Sequence, residues 1–371
     1  MPLPSRDYYR WLGNMKEFYW NKKEPPPSIS ERTALLCGLL FTAFFVAPFY
    51  LSPTLRATPL TSRDAPAVIK ARVRAVGLSC IASTVVTVYV LVSSGHSTPR
   101  DVLRLLAVWP INLPDCAKTL ALLSILFIGP LYETILVDSG WRQWNLATFK
   151  DRFFTDLRGL RNNVVAPWAE EWVFRSLVVS LYLVAKVSPT RIVFTTPLIF
   201  GAAHVHHLVE FVMSGTASGQ SSFGKILLLG LARSFFQFTY TTLFGFFAAF
   251  LYLRTGNVFA AVTAHTFCNF MGFPRVLGRV GQTEDYQAYE MTPDVAQGKK
   301  SDDGGQVRVG NSLMQDKDEG GNATAGLEGL KPRGLGVQWT VLYYMLLVAG
   351  SYGFYELIWP LTESSNALAS F

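Results

Sequence analysis

Long apolar runs separated by short polar connections dominate the chain. Eight of them, at about 33–52, 75–94, 117–137, 162–185, 190–209, 225–253, 257–273 and 338–360, lie near the roughly 20 residues that a helix needs to cross a bilayer. None alternates with the period of two that a membrane barrel requires, so each is expected to be a helix whose backbone groups pair internally. The sixth run is long enough that it must tilt or break, and the seventh sits at the lower limit for spanning. The pattern predicts an all-α membrane protein, a polytopic bundle of about eight transmembrane helices.

The runs also divide the chain. Residues 1–32 form a polar segment in which Tyr8, Tyr9, Trp11, Phe18, Tyr19 and Trp20 are interleaved with lysines and arginines. Such a segment suits an interfacial helix and a solvated tail about equally. Residues 33–275 hold spans one to seven. Residues 276–337 are rich in Gly, Asp, Gln and Lys, cannot bury a core, and are expected to form a mobile loop. Residues 338–371 supply the last helix and a tail.

Composition agrees. Half of the residues are hydrophobic and 16% are charged, against about a quarter charged in soluble domains. That balance excludes a disordered chain, a coiled coil, a collagen-like fibre and an ordinary soluble enzyme. The net charge of +7 is read as topology rather than as nucleic-acid binding, because Lys and Arg concentrate in cytoplasmic connections. With boundary residues counted into the nearest connection, 19 fall on one side and 12 on the other, and only Arg175 and Arg233 lie inside spans. The richer side, which includes the 138–161 and 276–337 connections, is expected to be cytoplasmic, with both termini opposite. Cys37, Cys80, Cys116 and Cys268 are far apart and form no CxxC pair, so neither a disulfide framework nor a cysteine–zinc site is expected. The first 30 residues lack the apolar core of a removable signal peptide, so the first span is expected to be an uncleaved anchor.

Ionisable groups inside spans cost at least a few kcal/mol each and mark functional sites by default. Here they cluster. Span four carries Glu170, Glu171 and Arg175; span five carries His204; span seven carries His265 and Asn269. Glu171 and Arg175 are at i, i+4 and share a face, so they can pair. Glu170 is rotated by about 100° and is poorly placed for Arg175. A purely structural pairing of both acids with Arg175 or Arg233 is the competing explanation. His265 and Asn269, also at i, i+4, offer a ring nitrogen and an amide toward a single point. Gly201, Ala202 and Ala203 beside His204 let a neighbouring helix come close. Counted from the ends of their spans, all these groups lie within roughly 7–14 Å of the same side, so they can meet in one polar cavity open to the cytoplasm.

A carboxylate and a histidine can activate water, and a histidine with an asparagine can hold a developing oxyanion. That combination fits hydrolysis of a carbonyl compound, with peptide cleavage the natural case. The chain has no His-Glu-x-x-His zinc motif and no pair of span-embedded aspartates. The lookalike Thr216-Ala217-Ser218-Gly219 is placed in a polar loop, and Cys268 is read as core packing.

Glu170-Glu171-x-x-x-Arg175, Phe200-x-x-x-His204 and His265-x-x-x-Asn269 resemble the three motifs of the type II CaaX prenyl endopeptidase family. The flanks Arg161–Pro167 and Ala264–Pro274 look like its eukaryotic branch. The match is tight over about 160–275. The resemblance implies a glutamate-dependent intramembrane endopeptidase of the endoplasmic reticulum, without metal or other cofactor, its active site facing the cytoplasm. It would remove the last three residues of prenylated CaaX proteins such as Ras-type GTPases and mating-factor precursors. By the same resemblance Glu170 would activate water, His204 would assist, His265 and Asn269 would hold the oxyanion, and Glu171 and Arg175 would support them. Two rivals stay open: a zinc-dependent intramembrane protease built on Glu170, His204 and His265 with help from His207, and a non-catalytic membrane scaffold that keeps the pocket. The sequon Asn322-Ala323-Thr324 is expected to carry no glycan, since its loop should be cytoplasmic.

Overall fold

The computed structural model describes residues 27–55, 63–142, 144–218, 222–281 and 335–371. Most of the 1–32 segment, most of the 276–337 loop and the Asn322 sequon lie outside these residues, and the expectations placed on them with it.

Among the described residues all regular structure is helical. In chain order the elements used below are α1 (Glu31–Val46), α2 (Pro66–Ser93), α3 (Pro99–Leu105), α4 (Leu113–Leu126), α5 (Ile128–Tyr132), α6 (Ala166–Glu171), α7 (Val178–Val184), α8 (Pro189–Ala203), α9 (His206–Ser218), α10 (Phe223–Thr255), α11 (Val258–Met271) and α12 (Val337–Leu361). Local signals set their ends. Ser30 caps α1 by accepting the Thr33 amide, and Thr98 with Asp101 forms a capping box on α3. Gly256 closes α10 at φ +55°, where a Cβ would strike the Asn366 carbonyl.

Among the described residues five helices are long and apolar enough to cross a membrane: Glu31–Leu51, Pro66–Ser93, Pro189–Met213, Phe223–Thr255 and Val337–Leu361. They become six if Leu113–Leu126 and Ile128–Val137, bent by 79° at Phe127, are one span. The other two expected spans are helical but built differently. α11 has 14 residues, about 21 Å at 1.5 Å per residue, short of a hydrocarbon core of about 30 Å. The fourth run is a chain of short pieces, with wide π turns at Arg161–Val165 and Trp172–Leu177 flanking α6. The sixth run does not break. α10 runs 33 residues, about 50 Å, so its excess length goes into tilt or projection.

Burial separates the middle from the rim. Val173, Leu177, Val178, Val179 and Leu181 are fully enclosed, so the fourth run is the axis of the bundle. α1, α2 and α12 instead turn Leu36, Leu78, Val85, Val348 and other large apolar side chains outward, a surface that a hydrocarbon solvent accepts and water does not.

α8 and α10 approach closely because Gly201 lies between them. A Cβ at Gly201 would sit 2.5 Å from Thr242 Oγ1 and 2.9 Å from the Phe238 ring. Gly201→Leu is expected to destabilise the fold by about 1–3 kcal/mol through overpacking, measured by thermal unfolding in detergent. Gly77 in α2, whose Cβ would meet nothing within 4 Å, is the matched control. Equal stability of the two Leu variants would contradict the close approach.

Candidate active site

Glu170 and Glu171 end α6 just before the wide turn Trp172–Leu177. Glu171 is fully buried, and one of its oxygens takes two bonds. Arg175 Nη1 donates to Glu171 Oε1 at 3.0 Å, the partner its i, i+4 spacing predicts. His265 Nδ1 lies 2.8 Å from the same oxygen. The Arg175 guanidinium also stacks 4.3 Å over the Phe200 ring and 5.7 Å from the Phe244 ring. Glu171, Arg175 and His265 therefore form a dry clamp joining the central run to α11.

Glu170 faces a different space. Its Oε2 lies 3.8 Å from His265 Nε2 and 4.0 Å from His204 Nε2. The Glu170 side chain is 17% and that of His204 16% accessible, against 0% for Glu171. His204 stands where α8 ends, and its Nδ1 lies 2.9 Å from the Phe200 carbonyl. A carbonyl only accepts, so Nδ1 carries the hydrogen and Nε2 presents a lone pair toward Glu170. By the same logic the Glu171 carboxylate holds the Nδ1–H of His265 and aims Nε2 at Glu170. Three helical elements thus bring one reachable carboxylate and two oriented imidazoles together.

Asn269 is placed elsewhere. It is exposed, and its Nδ2 donates to the Asn162 carbonyl at 2.9 Å, while Thr266 Oγ1 donates to the Asn163 carbonyl at 2.9 Å. The common point expected for His265 and Asn269 is not assembled here, because the two side chains serve different partners. The reason lies in the backbone. Pro167 has no N–H to offer the Asn163 carbonyl, and the Ala166 amide bonds Arg161 instead of Asn162 in the wide turn. Two carbonyls are left open, and Thr266 and Asn269 fill them. Pro167 is the sequence signal that could have revealed this seam. Nearby, Arg161 Nη1 donates to Asp64 at 2.7 Å. Burial pulls the Asp64 carboxyl up, but the hydrogen bond and charge of Arg161 outweigh it and hold the group below its ordinary value.

Two further expectations change. Thr216, Ala217 and Ser218 form the last turn of α9 rather than a polar loop, because the helix continues past 209. The helical run that leads to Glu170 begins at Leu157, earlier than expected, and α8 stops at Ala203 with α9 continuing after a break at His204 and Val205. Convergence of the site therefore rests on contacts rather than on equal counts from those ends. Cys268 packs against the cluster of Leu123, Leu251, Ala260 and Ala264, as expected.

Fold and site together define a polytopic helical membrane protein with a carboxylate–imidazole centre inside its bundle. A family model described as type II CAAX prenyl endopeptidase Rce1-like matches residues 116–271. The chain is 32% identical to the probable CAAX prenyl protease 2 of Schizosaccharomyces pombe over 254 residues, which is 68% of this chain and 86% of that protein. It is 33% identical to human CAAX prenyl protease 2 over 279 residues, 69% of this chain and 78% of the relative. An Arabidopsis thaliana protein of the same name is 40% identical over 114 residues, 31% of this chain and 34% of that one. No solved structure matches. The chain belongs to the type II CAAX prenyl endopeptidase family.

Proposed function

We propose that this protein is an intramembrane endopeptidase that removes the C-terminal tripeptide from prenylated CaaX proteins, with water activated by Glu170 and His204. The observation that carries this reading is the placing of Glu170 Oε2 within 4.0 Å of two imidazole Nε2 atoms. Those separations are too long for direct hydrogen bonds and suit one bridging water. Glu170 takes a proton from that water while the His204 lone pair accepts its second hydrogen. The resulting hydroxide adds to the scissile carbonyl. His265, its Nδ1–H braced by Glu171, presents Nε2 to the oxyanion, where a hydrogen on that nitrogen stabilises the developing charge. Asn269 adds its amide when it turns from the Asn162 carbonyl. Glu170 then returns its proton to the leaving amine, so the peptide and one water yield a carboxylate and an amine.

The substrate class is supported by an apolar groove of about 1040 Å³ between α2 and the central run. Val76, Gly77, Cys80, Val85, Trp168 and Trp172 line it, and Trp168 is two residues from Glu170. A prenyl chain lying in lipid could occupy this groove and present its peptide to the carboxylate. Clients of the Ras-type GTPase and mating-factor kind, residence in the endoplasmic reticulum and a site open to the cytoplasm belong to the same proposal.

The test is purified protein, alone in detergent, given a farnesylated CaaX peptide and its unprenylated twin. Cleavage of the farnesylated peptide alone is expected, and equal rates would sink the lipid requirement. Gly77→Leu should narrow the groove without disturbing the fold, raising KM for the prenylated peptide several-fold at unchanged Tm; an unchanged KM would remove the groove from the proposal. The rival reading, a zinc ion held by Glu170, His204 and His265, makes the opposite prediction. Activity that survives stripping of metal from the enzyme supports the water–glutamate mechanism, and activity that needs a zinc whose binding Glu170→Ala abolishes overturns it.

A further inference from the structure

We propose a second polar site, outside the Glu170 centre, that binds a divalent transition metal of the zinc type through His206, His207 and Glu210. One donor atom from each residue lies within 4.8 Å of the others. The spacing is local: Glu210 follows His206 by four residues and His207 by three, so all three reach one face of α9.

The surroundings are those of a ligand set. His206 Nδ1 lies 2.7 Å from the Ala203 carbonyl, which fixes the hydrogen on Nδ1 and leaves Nε2 with a lone pair. Metal-binding imidazoles are oriented in this way by a carbonyl on the other nitrogen. Arg72 Nη2 donates to Glu210 Oε1 at 3.0 Å, while the other oxygen, Oε2, is buried without a hydrogen-bond partner. The Glu210 side chain is 10% accessible. Oε2 lies 3.5 Å from His207 Nδ1, so this carboxylate oxygen faces the histidine pair.

The rest of the wall is firm. The Phe49 ring packs 6.0 Å and the Tyr50 ring 6.4 Å from His206, and Tyr50 donates its hydroxyl to the His206 carbonyl at 2.9 Å. Zinc bonds of about 2.1 Å in a tetrahedron set donors about 3.4 Å apart, so closure needs ring shifts of roughly 1 Å. Imidazole and carboxylate ligands favour zinc, cobalt or nickel over calcium or magnesium. The site adjoins the proposed catalytic centre, with the His204 and His207 rings 6.1 Å apart, but shares no ligand with it.

Full-length protein in detergent, stripped of metal and titrated calorimetrically with zinc, reads this directly. One equivalent is expected, with affinity falling at least roughly tenfold in His206→Ala and in Glu210→Gln, and unchanged in Glu170→Ala. Absence of binding overturns the site, as does binding that Glu170→Ala abolishes and His206→Ala spares. Because Glu210 also pairs with Arg72, His206→Ala carries the test if Glu210→Gln fails to fold. Cobalt absorption of the full chain gives a reading independent of proteolysis: a tetrahedral spectrum lost in His207→Ala is expected, and an octahedral aquo spectrum would overturn the assignment.

Discussion

Glu170→Gln is expected to fold normally, retain prenylated peptide and cleave it at least about 10³-fold more slowly. The nitrogens nearest to Glu170 Oε2 stand at 3.8 and 4.0 Å, beyond direct hydrogen bonding. The carboxylate therefore contributes little to holding the bundle together. Gln keeps the shape and loses the basic oxygen, so the loss should fall on kcat with KM nearly unchanged. Single-turnover rates beside a Tm measurement decide it. A variant within tenfold of the parent protein would exclude Glu170 as the base.

The neighbouring residue should behave in the opposite way. Glu171→Ala is expected to destabilise the protein by about 3–5 kcal/mol, because it strands a buried guanidinium. Arg175 is 1% exposed and Glu171 0%, so water cannot replace the lost partner. His265 would lose its anchor at the same time, and activity would fall as a secondary effect. Arg175→Lys should not restore the site, since a point ammonium cannot both pair with Glu171 and stack on Phe200. Denaturant unfolding in detergent of Glu171→Ala, Arg175→Met and the double variant Glu171→Ala/Arg175→Met closes a cycle and measures the coupling. Retention of parental stability by Glu171→Ala would show that the clamp does not hold the bundle.

Much of this was legible in the residues. Apolar runs located the helices, and the i, i+4 rule paired Glu171 with Arg175. The rarity of charge inside spans drew attention to Glu170, His204 and His265 together. What escaped was set by backbone rather than by side-chain pattern. Regular helical counting across 162–185 could not foresee two wide turns. It therefore missed the open carbonyls of Asn162 and Asn163 that engage Asn269 and Thr266. The bend at Phe127 follows from Gly129 and Pro130 only in retrospect, since both occur in straight membrane helices too. Span five is expected to end near 209, yet after a break at His204 a second helix carries the chain to Ser218, and its Glu210 pairs with Arg72 and His207.

The wide turn at Trp172–Leu177 makes the number of residues in this stretch as important as their identity. Each such turn holds one residue more than an α-helical turn without advancing proportionately along the axis. Deleting one residue there would let the segment relax to ordinary winding with both flanks kept near register, whereas deleting one from the regular helix after Val178 would swing the acids by about 100° relative to everything beyond it. Homologous chains with ordinary winding in this stretch should therefore be one residue shorter and still carry their acids at the same place in the bundle.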